Sequence, residues 1–96
     1  MTDKYILRGH TTMPCADLLK WAKWFETADR KVAADVVNGV RISTVFLGLD
    51  HAFGGAKPLL FETMIFGGKH DRYQDLCSTW DEAIAMHAKA VKLVKS

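Results

Sequence analysis

The chain has 96 residues, of which 49% are hydrophobic and 25% charged, and its formal net charge is +2 at neutral pH. That length makes a single domain, residues 1–96, with room for one modest core, and the balance excludes a disordered or fibrous chain. The small positive excess argues against a dedicated nucleic-acid binder, which concentrates basic residues on one element, and no apolar run reaches the roughly 18–20 residues that span a bilayer.

The opening segment MTDKYILRGH lacks the apolar stretch of a secretory signal. Within it, KYILRG predicts a strand over residues 4–8 that stops at Gly9. Pro14 suits the first turn of a helix, where its missing N–H costs nothing. Leu18, Trp21, Ala22, Phe25 and Ala28 then recur at three- and four-residue steps, so a helix is expected over 14–28. KVAADVV and VRISTVFLGL flank Asn38-Gly39, a pair that tolerates the positive φ of a type I′ turn; they predict strands 31–37 and 40–49 joined as a hairpin. LLFETMIF predicts a strand over 59–66 closed by Gly67-Gly68, and KHDRYQDLC reads as a polar connection. Thr79 and Glu82 have the spacing of a capping box for a helix over 80–94, with Trp80, Ala83, Ile84, His87, Ala88, Val91 and Val94 as its inner stripe.

The expected order is β-α-β-β-β-α, an α+β domain with a mainly antiparallel four-stranded sheet and two helices on one face. Strands 40–49 and 59–66 are apolar on both faces. Two helices can cover one side only, so the other is expected to be covered by a second copy, making a homo-oligomer, most simply a dimer.

The pieces STVFLGLDH-FG, PLLFETMIFGG and Y…STW-EA…H lie in the same order along the chain, most densely between Ser43 and Gly68. Together they resemble a small uncharacterised protein family of tailed bacteriophages and prophages, over most of the chain. The resemblance implies a phage-encoded protein acting in the cytoplasm of a bacterial host, and it brings no catalytic residues. The chain departs from that pattern at Ala52, where a polar residue is expected, at Lys57, where a second proline is usual, and after Gly68.

Asp50-His51 could form a tuned acid–base or ligand-binding pair, but adjacent residues of an extended chain point opposite ways, and Asp is a common turn former. FGGAK and FGGK suggest an anion cradle without the spacing of a phosphate-binding loop. Glu62 interrupts an apolar strand and needs a partner, for which Arg8, Arg41 and Arg72 are the cations considered; otherwise it anchors a ligand pocket. Asp50, His51, Phe53, Lys57 and Glu62 are therefore expected around one concave ligand-binding surface, since loop 50–58 leads into the strand that carries Glu62. Trp24, off the apolar stripe of its helix, is expected to contact a partner. His87 reads as a core histidine hydrogen-bonded to backbone, and Lys89, Lys92 and Lys95 as a solvated face complementing the helix dipole.

Cys15 and Cys77 are reduced thiols by expectation, with no metal-ligand spacing, and the histidines form no metal pattern. No cofactor is called for. Ser43 and Ser78 lack a nucleophile-elbow setting, so no catalytic constellation is legible. The leading expectation is a binding protein that works by occupancy, on a small nucleotide-like ligand or a host protein, in counter-defence. The alternatives are a small hydrolase-like enzyme using Asp50, His51 and Glu62, and a nucleic-acid-binding accessory protein.

Overall fold

The computed structural model describes residues 2–52 and 55–96. Among these, six strands and two helices follow in the order β1 (Tyr5–Arg8), β2 (Thr11–Pro14), α1 (Leu18–Thr27), β3 (Lys31–Val37), β4 (Val40–Phe46), β5 (Phe61–Phe66), β6 (Gln74–Cys77) and α2 (Trp80–Lys95). The architecture is α+β, with a four-stranded antiparallel sheet in the order β3-β4-β5-β6 and a separate two-stranded hairpin, β1-β2.

The expected sheet is present with different members. The strand near residues 4–8 stays out of it, because the Gly9-His10 turn folds the chain straight back and pairs Tyr5 with Pro14 and Arg8 with Thr11. Pro14 therefore ends a strand instead of opening a helix, a position where proline interrupts no ladder beyond it. The helix begins four residues later, at Leu18, with the Asp17 carboxylate accepting from the Lys20 N–H as N-cap. The fourth sheet strand is β6, in the segment expected to be a polar connection. Its four residues carry almost no strand signal of their own, and its ladder is supplied by β5, which pairs Phe61 with Cys77 and Met64 with Gln74.

The Asn38-Gly39 turn has φ of 52° and 81°, both positive as the type I′ hairpin demands. Strand β4 stops at Phe46, short of the expected residue 49, because the chain turns at Gly48 (φ 76°) beneath Trp21 and Phe25 of α1.

Only α2 lies across the sheet; the expected pair of helices on one face is not formed. α1 packs on β1 and on the turn at Gly48, with no fully buried residue, and Trp21 Nε1 donates to the Tyr5 and Gly48 carbonyls. α2 opens with the complete capping box, Thr79 receiving the Glu82 N–H and Glu82 receiving that of Thr79. Its buried residues are Ala83, Met86, His87 and Ala90, while Ile84 and Ala88 of the expected stripe face solvent. Two alanines on the inner side let the helix approach the sheet closely, which rotates the stripe toward them. His10, at the tip of the first hairpin, stacks on Trp80 with ring centroids 3.8 Å apart, fastening that hairpin to the start of α2.

Beneath α2 the sheet presents Ile42, Thr44 and Phe46 of β4 and Phe61, Thr63 and Ile65 of β5, all fully buried. The alternate residues, Arg41, Ser43 and Val45 against Glu62, Met64 and Phe66, form the opposite face, on which none is buried. Among the described residues no helix is long and apolar enough to cross a membrane.

Candidate functional site

The loop after β4 is organised by Asp50. Its carboxylate accepts from the Ala52 N–H at 2.7 Å and the Leu59 N–H at 3.0 Å, holding both sides of the loop together. His51 donates its backbone N–H to the Leu59 carbonyl, and its Nδ1 lies 2.9 Å from the Leu49 carbonyl oxygen. This is the turn-forming use of aspartate, and it directs the carboxylate at backbone instead of at His51. Lys57 is exposed, and Phe53 lies outside the described residues. Glu62 sits on the uncovered face of the sheet, where it accepts from the Gln74 side-chain amide rather than from an arginine. Trp24 is half-buried and meets Phe46 edge-on, centroids 5.7 Å apart, so most of its surface serves the core.

A second group is internal. Asp35 Oδ2 lies 2.7 Å from His87 Nε2, His87 Nδ1 lies 2.7 Å from Thr44 Oγ1, and Thr44 Oγ1 lies 2.5 Å from Thr63 Oγ1. Acid, imidazole and hydroxyl stand in the sequence used to activate a nucleophile. Thr44 and Thr63 are nevertheless fully buried under α2, so no substrate reaches either hydroxyl. Every member is satisfied if Thr63 donates to Thr44, Thr44 to Nδ1, and Nε2–H to the carboxylate. His87 is thus hydrogen-bonded to side chains, not to backbone as expected, and it ties α2 to β3 and β4.

The third group occupies the end of the molecule where α2 finishes. A groove of about 450 Å³ is lined by Tyr73, Lys89, Lys92, Leu93 and Ser96. Lys89, Lys92 and Leu93 are three and four residues apart and so share one helix side. Tyr73 comes from the turn between β5 and β6. Gly67, Gly68 and Arg72 all have positive φ there, Arg72 N–H donates to the Ile65 carbonyl, and Asp71 accepts from the Gly67 N–H. Tyr73 packs against the core formed by Ile42, Ile65 and Ala90, which fixes the ring beside the lysines.

Lys69 and Arg72 in the turn and Lys95 of α2 bring further positive charge to this end, against Asp71. The negative end of the α2 dipole opposes them, at about half an elementary charge. Lys89 and Lys92 stand over a mainly apolar floor in this groove.

Among the described residues two titrations are perturbed, both at the other end of α2. Burial, and then the nearby Glu82 carboxylate, push the Cys77 thiol up to about 11. Glu82 is held below the ordinary carboxylate range, first by the Ser78 N–H it accepts, with a smaller contribution from Lys57.

The lysine strip was visible in the sequence, but its aromatic neighbour was not. The aromatic of the same helix, Trp80, is at the far end, and Tyr73 reaches Lys89 and Lys92 only through the β5–β6 turn. No family model matches this chain, nor does a curated protein or a solved structure.

Proposed function

We propose that this protein is a non-catalytic binding protein that works by occupancy, and that it takes a small anionic, ring-bearing ligand of nucleotide-like chemistry in the groove of Tyr73, Lys89 and Lys92. The observation that carries this reading is the juxtaposition, in one groove, of an aromatic side chain fixed by the core and two lysines of one helix side. A planar base stacks on or beside an aromatic ring, and phosphate oxygens recruit lysine ammonium groups through charge-assisted hydrogen bonds. A volume of about 450 Å³ is that of a small-molecule site and accommodates one nucleotide, not a strand. The sealed Thr44 hydroxyl supports binding over hydrolysis.

We propose further, from the phage-family resemblance expected from the sequence, that the setting is the cytoplasm of a bacterial host, where removing a nucleotide signal from solution would serve counter-defence. Calorimetric titration with ATP, adenosine and inorganic phosphate tests the reading. ATP is expected to bind more tightly than either fragment, and the Lys89→Ala/Lys92→Ala double variant to bind it about tenfold or more weakly, since each charge-assisted contact is worth on the order of 1 kcal/mol at an open site. No heat with millimolar ATP, or equal affinity in the double variant, overturns it. A stoichiometric host polypeptide that co-purifies and is unaffected by ATP would favour the blocking of a host protein instead.

A further inference from the structure

We infer that the uncovered face of the four-stranded sheet is the contact surface of a reversible homodimer, closed by reciprocal pairs between Arg41 of one copy and Glu62 of the other. This inference concerns the face opposite α2 and is independent of the groove.

Four strands contribute to that face: Val36 of β3, Arg41 and Val45 of β4, Met64 and Phe66 of β5, and Leu76 of β6. Val36 is 71% exposed and Phe66 38% exposed, whereas the residues of β4 and β5 that face α2 are fully buried. The middle row of the face, Ala34, Ser43, Met64 and Gln74, is flanked lengthwise by opposite charges. Arg41 pairs in register with Phe66, and its guanidinium lies over that ring, 4.3 Å from the centroid. Glu62 pairs in register with Val45, four residues further along β4, or about 13 Å at strand spacing.

This arrangement is self-complementary. A two-fold axis lying between two such faces and crossing the strands midway, near Ser43 and Met64, reverses strand direction in the second copy. Arg41 then stands over Val45 of the other copy, offset sideways from Glu62 by one strand spacing, about 4.8 Å, across the roughly 10 Å between stacked sheets. Its guanidinium leans over Phe66, toward the strand of Glu62 and away from Lys31 on the other flank of Val45, so the long side chain can span that gap. The same operation repeats the pair on the far side, so one contact becomes two. It also lays the basic end of each molecule over the opposite end of its mate, which separates the two clusters of lysine and arginine. A different protein would have to match this charge spacing by chance, whereas a second copy matches it by symmetry.

The area sets the strength. Four strands by about five residues give a footprint of roughly 20 by 17 Å, and the total surface buried by two such faces falls at or below about 1,200 Å², the range of weak and transient associations. The dimer is therefore expected to dissociate at micromolar concentration and to be weakened by salt.

Sedimentation equilibrium of the full chain from about 5 to 500 µM tests this, with thermal melts to verify that each variant is folded. The wild-type chain is expected to pass from monomer to dimer across that range. Arg41→Glu and Glu62→Arg each place like charges together twice and are expected to raise the dissociation constant at least about tenfold. Their combination exchanges the two charges and is expected to return it to within about threefold of wild type. A wild-type monomer at 500 µM, single variants that dimerise normally, or a combined variant no better than the single ones would each overturn the inference.

Discussion

His87 on α2 and Asp35 on β3 meet through Nε2 and Oδ2 at 2.7 Å, and the other ring nitrogen is 2.7 Å from the Thr44 hydroxyl. One side chain thereby joins the covering helix to two strands, and the buried threonine hydroxyls find partners without water. Thr44→Val removes the hydroxyl facing Nδ1 and leaves the Thr63 hydroxyl without its partner. Denaturant unfolding should show a loss of about 2–4 kcal/mol, the usual cost of stranding buried polar groups. Asp35→Asn keeps an acceptor oxygen facing Nε2, and because Asp35 is 54% exposed it should cost less than about 1 kcal/mol.

Gly48 sits beneath the aromatic rings of α1. A Cβ added there would stand 2.9 Å from Phe25 Cε2 and 3.7 Å from Trp21, on a backbone with φ of 76°. Gly48→Ala is expected to destabilise by about 1–3 kcal/mol through left-handed strain and displacement of Phe25. Gly39→Ala, whose Cβ meets nothing within 4 Å, carries strain without the clash and should cost less. Parallel thermal melts separate the two contributions.

The Cys77 thiol, raised from 9.0 to about 11 by burial and then by Glu82, should be a poor nucleophile. At pH 8 its thiolate population falls about 100-fold below that of an unperturbed cysteine, so iodoacetamide should label it correspondingly slowly in the folded protein and readily after unfolding. The folded state holds the proton more tightly than the unfolded state. The stability this contributes is complete below pH 9 and is lost as pH rises from 9 through 11. Cys77→Ser should flatten that alkaline decline, and Glu82→Gln should speed labelling by removing a neighbouring negative charge.

Asp50 and His51 can be separated by substitution. Asp50→Ala deprives two backbone N–H groups of their acceptor and should cost about 1–3 kcal/mol. His51→Ala should change stability by less than about 1 kcal/mol. If His51→Ala weakens ATP binding while Lys89→Ala/Lys92→Ala does not, the ligand belongs to the loop at Asp50 and not to the groove; calorimetry on the two variants decides it.

Local chemistry alone determined several elements of this protein. The Asn38-Gly39 hairpin follows from positive-φ tolerance between β-branched runs, and the start of α2 from a hydroxyl and a carboxylate three residues apart. Strands β3, β4 and β5 follow from runs that leave the chain few other ways to bury its side chains. Each of these signals acts between residues within a few positions of one another, so each was legible in the order of residues. Tertiary structure decided the rest. QDLC becomes β6 only because β5 offers it a ladder, and KYILRG leaves the sheet because the turn at Gly9 supplies a nearer partner. α2 rotates to set Ala83 and Ala90 against the sheet, which brings His87 onto Thr44, and the β5–β6 turn carries Tyr73 to Lys89 and Lys92. Those relationships span sequence separations that no periodicity encodes. They are set by which surfaces pack most closely, a property of the whole folded chain.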